Sequence, residues 1–315
     1  MMGVILKHGK ETILVVVLTL CGGVAFGGAF SREARGTSAA PFLKLPVNAR
    51  AAGLGGAVTA LEGEAASLAW NPAGLASLTG RQATLGHSAY LDETAYSNGI
   101  YAQPFLGGGI GVGLRYFDGG TLTQTDSYDG TPIGNFHPID WAVSLGYGRE
   151  FREWSFGGAG KMVTSRVVHS DTTFAVDLGV LSPGYWSDRF HWGVAARNLG
   201  GKLKLADASH PLPVELSGGV AFRPLLPWLV TCDLKFPRDD SPTLSLGNEG
   251  HWVPTTGWLL IGRAGWSGTT GQDLGVLAGT TVGFGAQYSH LTVDYAFSPV
   301  DDLGNAHRVS LSYSF

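Results

Sequence analysis

The sequence predicts an all-β protein, a transmembrane antiparallel β-barrel of about 14 strands with an N-terminal hatch segment in its lumen. Three observations predict this fold. Apolar and polar residues alternate through most of the chain, which places them on opposite faces of strands. Charged residues make up 15% of the chain and glycine fills 48 of its 315 positions, whereas soluble domains are roughly 25% charged. Beyond residue 29, no apolar run reaches the roughly 20 residues that a membrane-spanning helix needs.

The first 29 residues have the plan of a secretory signal peptide. Lys7 and Lys10 precede an apolar run, Thr12–Cys21, and small residues follow it. The run is too short to cross a hydrocarbon layer about 30 Å thick as a helix. We therefore expect residues 1–29 to be cleaved from a protein that is exported to the outer membrane.

Residues 30–80 are assigned to the hatch because they break the strand pattern. Small residues dominate up to Ala60, and Glu64–Trp70 favour a short helix. That helix should end at Asn71, because the following Pro72 pushes this residue toward an extended conformation. A segment this compact fits inside a barrel. The alternative is a strand and turn that simply start the barrel.

The hatch assignment includes a glycine-rich stretch. A dinucleotide-binding fingerprint has a third glycine and follows a strand, and this stretch meets neither condition. We therefore assign the glycines to the hatch rather than to a nucleotide site. The hatch motif consists of Gly53, Gly55, Gly56, Asn71, Pro72, Ala73 and Gly74.

Residues 81–315 are assigned to the barrel wall. The last nine residues alternate without a break and end on an aromatic side chain, which is typical of the closing strand of an outer-membrane barrel. We expect this ending to direct recognition by the barrel assembly machinery and its apolar face to contact outer-membrane lipid. The apolar members are Val309, Leu311, Tyr313 and Phe315. An even number of strands also predicts both termini on the periplasmic side.

The polar face of the predicted strands is mostly glycine, alanine and serine with an occasional charge. Such a face suits a narrow, filled lumen. Because an unpaired buried charge is costly, we expect the charged members to pair across the interior and to hold the hatch. These lumen residues are Arg115, Asp177, Arg197, Glu215, Arg263 and Asp294.

Several functional classes lack support in the sequence. The formal net charge is −4, and no basic run is interleaved with aromatic residues, so no nucleic-acid partner is expected. There is no G-x-S-x-G nucleophile elbow, and no histidine lies beside a serine and an acid in a pattern that indicates a triad. We predict a protein that is not an enzyme and that has no catalytic residues, no metal site and no cofactor.

The chain resembles the PorV/PorQ family of outer-membrane proteins, within the broader group of FadL-like barrels. Two motifs carry the resemblance: the stretch from Ala49 to Ala76, with its Asn-Pro-Ala-Gly turn, and the stretch from Leu291 to Leu311. The segment Arg197–Gly200 is similar as well. The sequence departs from the family pattern at Leu54, where methionine is commoner, and at residues 62–64, where paired aspartates are expected.

The resemblance implies a fourteen-stranded barrel whose hatch is anchored by the turn at Asn71. Members close to this chain serve in type IX secretion, so the resemblance implies a role in protein secretion or surface delivery with secretion-system proteins as partners. The alternative is passive transport of a hydrophobic solute, in which FadL-like relatives move the hatch and release the solute sideways through the wall. That alternative needs an apolar external groove and an irregular strand, for which residues 107–109 and 224–227 are candidates unless they are plain turns.

Overall fold

The computed structural model describes residues 29–89, 94–125, 130–167, 170–205, 208–274, 277–299 and 305–315, with the side chains of 272–274 left out. The predicted signal peptide lies outside the described residues except for Ala29, so its removal stays a prediction. None of the helices in the described ranges is long and apolar enough to span a bilayer.

Strands dominate the described chain. They are β1 (Gln82–Ala89), β2 (Ala95–Phe105), β3 (Gly108–Asp118), β4 (Leu122–Thr125), β5 (Pro132–Phe136), β6 (Ile139–Phe151), β7 (Trp154–Arg166), β8 (Ser170–Leu181), β9 (Phe190–Gly200), β10 (Lys202–Leu205), β11 (Ala208–Pro211), β12 (Glu215–Phe222), β13 (Trp228–Pro237), β14 (Thr243–Trp252), β15 (Trp258–Ser267), β16 (Thr280–Tyr288), β17 (Leu291–Pro299) and β18 (Asn305–Ser314).

Fourteen of these strands form one closed antiparallel barrel. Its order is β1-β18-β17-β16-β15-β14-β13-β12-β9-β8-β7-β6-β3-β2, and closure occurs where Gln82 pairs with Ser314 and Ala89 with His307. The strand β4 pairs with β5, and β10 with β11, as separate hairpins. The predicted fold class and the predicted strand number are therefore confirmed.

Alternation along each strand separates an apolar outer face from a small or polar inner face. On β3, Val112 and Leu114 are 46% and 50% exposed, whereas Arg115 is 4% exposed. On β8, Phe174 is 68% exposed, and Asp177, on the opposite face, is fully buried. An exterior of leucine, valine and phenylalanine is favourable only against hydrocarbon, so this face is the membrane-contacting one.

The two ends of the barrel differ in their connections. At the end where β1 begins and β18 ends, called the proximal end, several connections are short, and those at 106–107, 152–153 and 289–290 have two residues each. At the opposite, distal end, longer connections carry both hairpins and the helix Gly268–Leu274. Leu106 and Gly107 both have positive φ, as a two-residue hairpin turn between twisted strands requires.

Exposed aromatic side chains cluster at the proximal end. An amphipathic ring is favourable at the boundary between hydrocarbon and water, so these rings mark one membrane interface. The cluster comprises Phe105, Phe151, Trp186, Phe222, Trp228, Trp252, Trp258, Tyr288, Tyr313 and Phe315.

The chain before the wall contains no strand within residues 29–81. It has α1 (Ala49–Gly53), α2 (Ser67–Trp70) and three 3-10 helices (Arg32–Ala34, Pro41–Lys44 and Pro72–Ser77); the remaining helix, α3 (Gly268–Leu274), belongs to the distal connections. Helix α2 is shorter than the predicted Glu64–Trp70, and it ends at an extended Asn71, as the following proline requires.

Both ends of the wall lie at the proximal end, as the even strand number predicts, but the described chain ahead of the wall starts at the distal end. The Phe30 backbone N–H donates to the Arg238 carbonyl at 2.8 Å, just after β13 ends at the distal end. Phe315, by contrast, lies at the proximal end, where its N–H donates to Arg81 at 2.9 Å. The strand count determines where the wall begins and ends, but it does not determine the path of a segment that precedes the wall.

The two sequence stretches considered as wall irregularities lie at strand ends. Gly107 is in the turn before β3 and residues 108–109 are the first two of that strand, while residues 224–227 lie in the connection between β12 and β13. Among the described wall strands, the pairing register shifts instead between β8 and β9, at Val176 and Leu178. Asn198, on the facing part of β9, has a φ of 58°, which locates a β-bulge there.

We predict that replacing Phe315 with alanine lowers the yield of membrane-inserted barrel several-fold. Phe315 ends the apolar face of β18, and its ring stacks edge-on against Tyr313 at 4.8 Å between ring centroids. The heat-modifiable band on a gel measures the yield. The matched control is Phe151→Ala, because Phe151 is 63% exposed and Phe315 is 66% exposed at the same end. Equal yields from the two variants would contradict an assembly role.

Candidate functional site

The interior of the barrel is occupied by residues 30–80, called here the inner segment. Its first part lies at the distal end, where Ala39 N–H donates to Pro211 at 2.9 Å and the Lys44 ammonium pairs with Asp239 at 2.8 Å. Further along, its buried side chains, including Leu54, Leu68 and Leu75, contact the inner faces of wall strands. The inner segment ends where Gln82 begins β1.

The turn at Asn71 is buried against β7 and β8. Asn71 is 0% exposed, and its side-chain amide donates to the Thr59 carbonyl at 2.8 Å while its oxygen accepts from Ala73 N–H at 3.2 Å. The wall meets this turn with glycine: a Cβ on Gly179 would overlap the Asn71 amide oxygen, and one on Gly157 would overlap Pro72. The wall is therefore shaped to receive this turn.

The glycine-rich stretch lies against β13, β15 and β16. A Cβ on Gly53 would come within 3.2 Å of the Gly283 Cα atom. Gly55 has a φ of +63°, and a Cβ there would lie 2.5 Å from the Trp266 carbonyl oxygen. A Cβ on Gly56 would lie 2.7 Å from the Lys235 ammonium nitrogen. Gly55 allows backbone-to-backbone packing that a larger residue would prevent, whereas a methyl group at Gly53 would need its neighbours to shift by a few tenths of an ångström.

An ionic cluster ties helix α1 to the wall. The guanidinium of Arg50 donates a hydrogen bond to each carboxylate oxygen of Glu249, both at 2.8 Å, and a third to Glu64 at 2.9 Å. Glu249 is 1% exposed and accepts as well from Arg263 at 2.7 Å. Arg263 donates in turn to Asp294 at 2.6 Å. Bidentate, charge-assisted bonds of this kind fix orientation as well as distance.

A carboxylate on β13 holds the middle of the inner segment. Asp233 is 1% exposed, and its Oδ2 atom accepts from the backbone N–H groups of Val58 and Thr59, both at 2.9 Å, and from the Thr59 hydroxyl at 2.7 Å. The Thr59 hydroxyl lies 3.2 Å from that of Ser217 on β12. This part of the segment is thus bonded to two neighbouring strands.

Arginines on β3 and β9 bond the backbone of the inner segment. Arg115 donates to the carbonyls of Leu43 and Ala69, both at 3.2 Å, and Arg197 donates to Ala69 at 3.4 Å. Arg197 also pairs with Glu215 on the adjacent β12. Because a carbonyl carries no formal charge, these contacts hold the segment less strongly than the pair between Arg50 and Glu249.

The β-bulge between β8 and β9 is stabilised by a buried pair. The Lys161 ammonium lies 2.6 Å from Asp177 and donates to the Asn198 side chain at 2.8 Å. The Asn198 backbone N–H donates to Asp177 at 2.7 Å. These contacts replace the regular ladder bonds that the bulge interrupts.

The six predicted lumen residues all point inward, but they do not all pair with one another. Arg197 pairs with Glu215, and Arg263 with Asp294. Asp177 takes Lys161 as its partner, and Arg115 bonds backbone carbonyls. The residues of the predicted assembly signal face outward on β18, and Val309 is 46% exposed. Whether they act as such a signal stays a prediction.

Sequence reasoning missed several interior charges. Those on the wall lie on β7, β13 and β14, where alternation with the neighbouring apolar residues could have identified them as inward-facing. Arg50 carries a different signal, since it is a lone basic residue in a run of alanines. The missed residues are Arg50, Lys161, Asp233, Lys235 and Glu249.

A cavity of about 360 Å³ remains between the inner segment and the wall. Trp70 and Val58 of the segment line it together with Arg197, Lys235 and Thr243 of the wall. Four basic and two acidic side chains line the cavity in all. No group of three His, Cys, Asp or Glu side chains within the described ranges is arranged to hold a metal ion.

A groove of about 640 Å³ lies on the outer face of the wall across β13 to β16. Its floor is formed by small residues, Gly250, Gly262 and Ala264, and its rim includes Trp228 and Phe284. The Trp228 indole N–H donates to Asn248 at 2.7 Å, which satisfies the polar side chain on this membrane-facing surface. The groove is therefore apolar in character.

These features define a class of protein: a membrane-spanning, fourteen-stranded β-barrel whose interior is filled by its own N-terminal segment. Solved structures share this fold. The toluene transporter TodX of Pseudomonas putida is 14% identical with a TM-score of 0.62, and the match covers 85% of this chain and 97% of that one. The toluene transporter TbuX of Ralstonia pickettii is 12% identical with a TM-score of 0.57, and the match covers 85% and 98% of the two chains.

The barrel fold of this chain is thus similar to that of these two solved structures, in agreement with the predicted fourteen-stranded barrel. No protein-family model and no curated protein matches this sequence. At 12–14% identity the similarity shows the fold alone. The resemblance to the PorV/PorQ family accordingly stays a prediction.

We predict that Arg50→Met destabilises the barrel by about 3–5 kcal/mol, because it leaves Glu249 buried without its bidentate partner. The midpoint of the heat-modifiability transition measures this effect. The control is Arg35→Met: Arg35 pairs with Asp240 at 2.8 Å, but its side chain is 40% exposed, and an exposed pair contributes only about 0–1 kcal/mol. Equal shifts of the transition midpoint in the two variants would show that the buried Arg50–Glu249 pair stabilises the barrel no more than the exposed pair does.

We predict that Gly55→Ala prevents the inner segment from seating, because the added methyl group would meet the Trp266 backbone at 2.5 Å. The control is Gly36→Ala, since Gly36 has a similar φ of +74° but open space around it. Both variants carry the strain of a left-handed alanine, about 1–2 kcal/mol, and only Gly55→Ala adds a clash. Protease cleavage within residues 30–80 measures seating. Similar protection of the two variants would show that the contact does not matter.

Proposed function

We propose that the protein is an outer-membrane channel for hydrophobic small molecules, in which the inner segment acts as the hatch. The observation that carries the proposal is the combination of this barrel fold with an interior closed by non-covalent contacts. Two structures with the same fold are described as toluene transporters, and a variant of one as a monoaromatic hydrocarbon channel. The alternative weighed in the sequence analysis therefore has more support than secretion.

The interior contacts suit a segment that moves without unfolding the wall. In the described part of the chain, the wall strands bond one another in an unbroken ring, so they do not depend on the segment for closure. Besides its buried apolar packing, the segment is held by ion pairs and hydrogen bonds, among them Arg50 with Glu249 and Thr59 with Asp233. Breaking these contacts would open the interior while the ladder stays intact.

The outer face offers a place for an apolar solute to leave. The groove beside Gly250 and Gly262 is apolar and faces the membrane, and the bulge between β8 and β9 is a second irregular position. A hydrophobic solute gains free energy by entering hydrocarbon directly, at roughly 25 cal/mol for each Å² of apolar surface removed from water. In this proposal the solute passes from the interior to the membrane core.

The orientation follows from the connections and the aromatic cluster. Bacterial barrels have short periplasmic turns and longer external loops. The proximal end carries two-residue turns and the distal end carries the hairpins, so we assign the proximal end to the periplasm. The cavity beside Lys44 and Thr243 then lies on the external side of the inner segment, where an entering solute arrives first.

Secretion and surface delivery, the leading expectation from the PorV/PorQ resemblance, have no comparable observation in their favour. The loops on which a secretion partner is expected to dock, Asp118–Pro138 and Ser298–Ala306, include residues 126–129 and 300–304, which lie outside the described residues. Secretion-system proteins therefore remain a predicted class of partner that the solute-transport proposal does not require.

We predict that a disulfide between the inner segment and the wall stops transport. The hydroxyl oxygens of Thr59 and Ser217 lie 3.2 Å apart, so cysteines at both positions bring their sulfur atoms within bonding reach. The variant is Thr59→Cys with Ser217→Cys in a Cys232→Ser background, because Cys232 is a free thiol. Uptake of labelled toluene by cells with a lipopolysaccharide outer membrane should fall to the empty-vector rate when the variant is oxidised and recover on reduction.

The control disulfide joins two wall strands and leaves the segment untethered. The Thr84 and Ser312 hydroxyls, on β1 and β18, lie 3.0 Å apart. Thr84→Cys with Ser312→Cys should keep its uptake in both redox states. Uptake at the vector rate by the unmodified protein would refute the channel proposal, and uptake unaffected by the Thr59–Ser217 bridge would refute segment movement.

A further inference from the structure

We propose that one histidine of the wall, His191, makes the seating of the inner segment depend on pH. At acidic pH the protonated ring pairs with Glu62 of the segment and holds the segment in place. Above neutral pH the ring loses its charge, and this contact no longer holds. The inference rests on the proposed function, in which the segment moves, and adds a control on that movement from the periplasmic side.

His191 lies between two carboxylates, one on the wall and one on the inner segment. It is the second residue of β9, at the proximal end, and it is 6% exposed. Its Nε2 atom lies 3.1 Å from a carboxylate oxygen of Asp188, in the connection before β9. Its Nδ1 atom lies 3.7 Å from a carboxylate oxygen of Glu62. The ring therefore joins the wall to the segment.

Protonation changes the sign of the contact with Glu62. A neutral imidazole carries one N–H. We assign that N–H to Nε2, because Nε2 lies within hydrogen-bond distance of Asp188. Nδ1 then directs a lone pair toward the Glu62 carboxylate, and within the described residues it has no hydrogen-bond partner. A second proton places an N–H at Nδ1, so a repulsive contact between two acceptors becomes an ion pair.

Histidine is the side chain whose charge changes between pH 5 and pH 8. Because protonation strengthens the seated state, the contact is present at low pH and is lost as the pH rises. The proximal end is assigned to the periplasm, so the acidity of the periplasm sets the charge on the ring.

An unusual backbone conformation holds Asp188 against the ring. Three successive residues, Trp186–Asp188, have positive φ angles of 52°, 60° and 65°. Residues with side chains keep such angles only where their surroundings fix them. The Trp186 ring packs against Phe190 and Phe222, with centroids 5.3 and 6.2 Å apart. A Cβ on Gly184 would overlap the Asp188 carboxylate, so glycine makes room for it.

On the segment side, Glu62 is connected to the buried turn at Asn71. Its second carboxylate oxygen accepts from the Ser77 hydroxyl at 2.7 Å. The next residue, Gly63, donates its backbone N–H to the Gly74 carbonyl at 2.9 Å. Ser77 and Gly74 belong to the 3-10 helix that follows Asn71. A change in the contact between His191 and Glu62 therefore acts on the part of the segment that fits against the wall glycines.

The other elements beside the ring contribute two arginines and no acid at the paired positions. On β12, Ala221 lies directly across from His191, and β8 ends at Leu181. Arg189 and Arg223 follow at the strand ends, where the Arg223 backbone N–H donates to the Arg189 carbonyl at 2.8 Å. Arg189 is exposed and Arg223 is half-buried, so water screens their charges. The buried ring is thus left with the two carboxylates as its printed ion-pair contacts.

A second histidine near the proximal end supplies a matched control. His251 lies on β14, and its Nε2 atom is 3.1 Å from Glu249 on the same strand. Its contact therefore stays within the wall. Glu64, the next acid of the inner segment after Glu62, pairs with Arg50 at 2.9 Å rather than with a histidine.

The test is the rate at which papain cleaves residues 30–80 of the purified protein in a neutral detergent, at pH 5.5 and at pH 8. At each pH the wild type is compared with His191→Gln, which is neutral at both, so the pH dependence of the protease cancels. Cleavage follows the population of the released segment when release and reseating are fast. We expect the wild type to be cleaved about ten-fold more slowly than His191→Gln at pH 5.5, because the variant lacks a charge-assisted contact. At pH 8 the two rates should be equal.

Two further variants complete the test. Glu62→Gln removes the partner on the segment, so it should lose the protection at pH 5.5 even if His191→Gln fails to assemble. His251→Gln should keep the wild-type protection at both pH values. The same ratio of rates at pH 5.5 and pH 8, or protection that survives in Glu62→Gln, would overturn the proposal. Loss of the pH dependence in His251→Gln alone would transfer the effect to His251 and overturn it as well.

The cleavage test and the toluene uptake test can fail separately, because cleavage requires no solute. Toluene uptake with protection that does not depend on pH leaves the channel proposal standing and removes the role of His191. Protection that depends on pH without toluene uptake leaves the contact between His191 and Glu62 standing and removes the transport of toluene.

Discussion

The structure depends on one constraint: backbone N–H and C=O groups cannot stay unpaired in hydrocarbon, because each unsatisfied group there costs several kcal/mol. The wall meets this constraint by closure, with β1 bonded to both β2 and β18 so that no edge remains. Closure requires alternation, which sends leucine, valine and phenylalanine outward and sends glycine, serine and the charges inward. The inward charges then need partners of their own, and the inner segment supplies several of them. The closed fold of the wall and the contacts of the inner segment thus both follow from the need to pair buried polar groups.

The charges that hold the inner segment are not spread evenly. Helix α1 is tied to β14 through Glu249, the residues around Thr59 are tied to β13 through Asp233, and the turn at Asn71 fits against glycines of β7 and β8. Between these contacts the segment packs through buried alanines and through larger side chains such as Leu54, Leu68 and Leu75. Because replacing a buried ion pair with apolar side chains is often neutral or stabilising, the pairs contribute a defined position more than they contribute net stability. Such an arrangement has discrete points at which it can be released.

The sequence predicted the class of fold and the number of strands because both follow from a period of two and from length. It also identified residues 30–80 as different in kind, and strand parity put Arg115, Asp177, Arg197, Glu215, Arg263 and Asp294 inside. It did not identify the partners. Arg115 bonds carbonyls of the inner segment, and Asp177 pairs with Lys161 at a bulge, because register shifts and the path of an irregular segment are set by contacts between distant parts of the chain. For the same reason, the sequence placed the irregular strand at two strand ends and missed the cavity beside Lys235.

The inner segment begins among the distal connections, at Phe30, and reaches the wall at the proximal end, at Gln82. The inner segment therefore crosses the full height of the barrel before the first wall strand begins. It touches β13, β14, β15, β16 and β18, all of which come much later in the chain, and the ring is completed only when β18 meets β1. The contacts of the inner segment and the closure of the wall therefore join the same distant parts of the sequence: Ser310 of β18 bonds Ala49 of the segment, and its neighbours on β18 pair with β1.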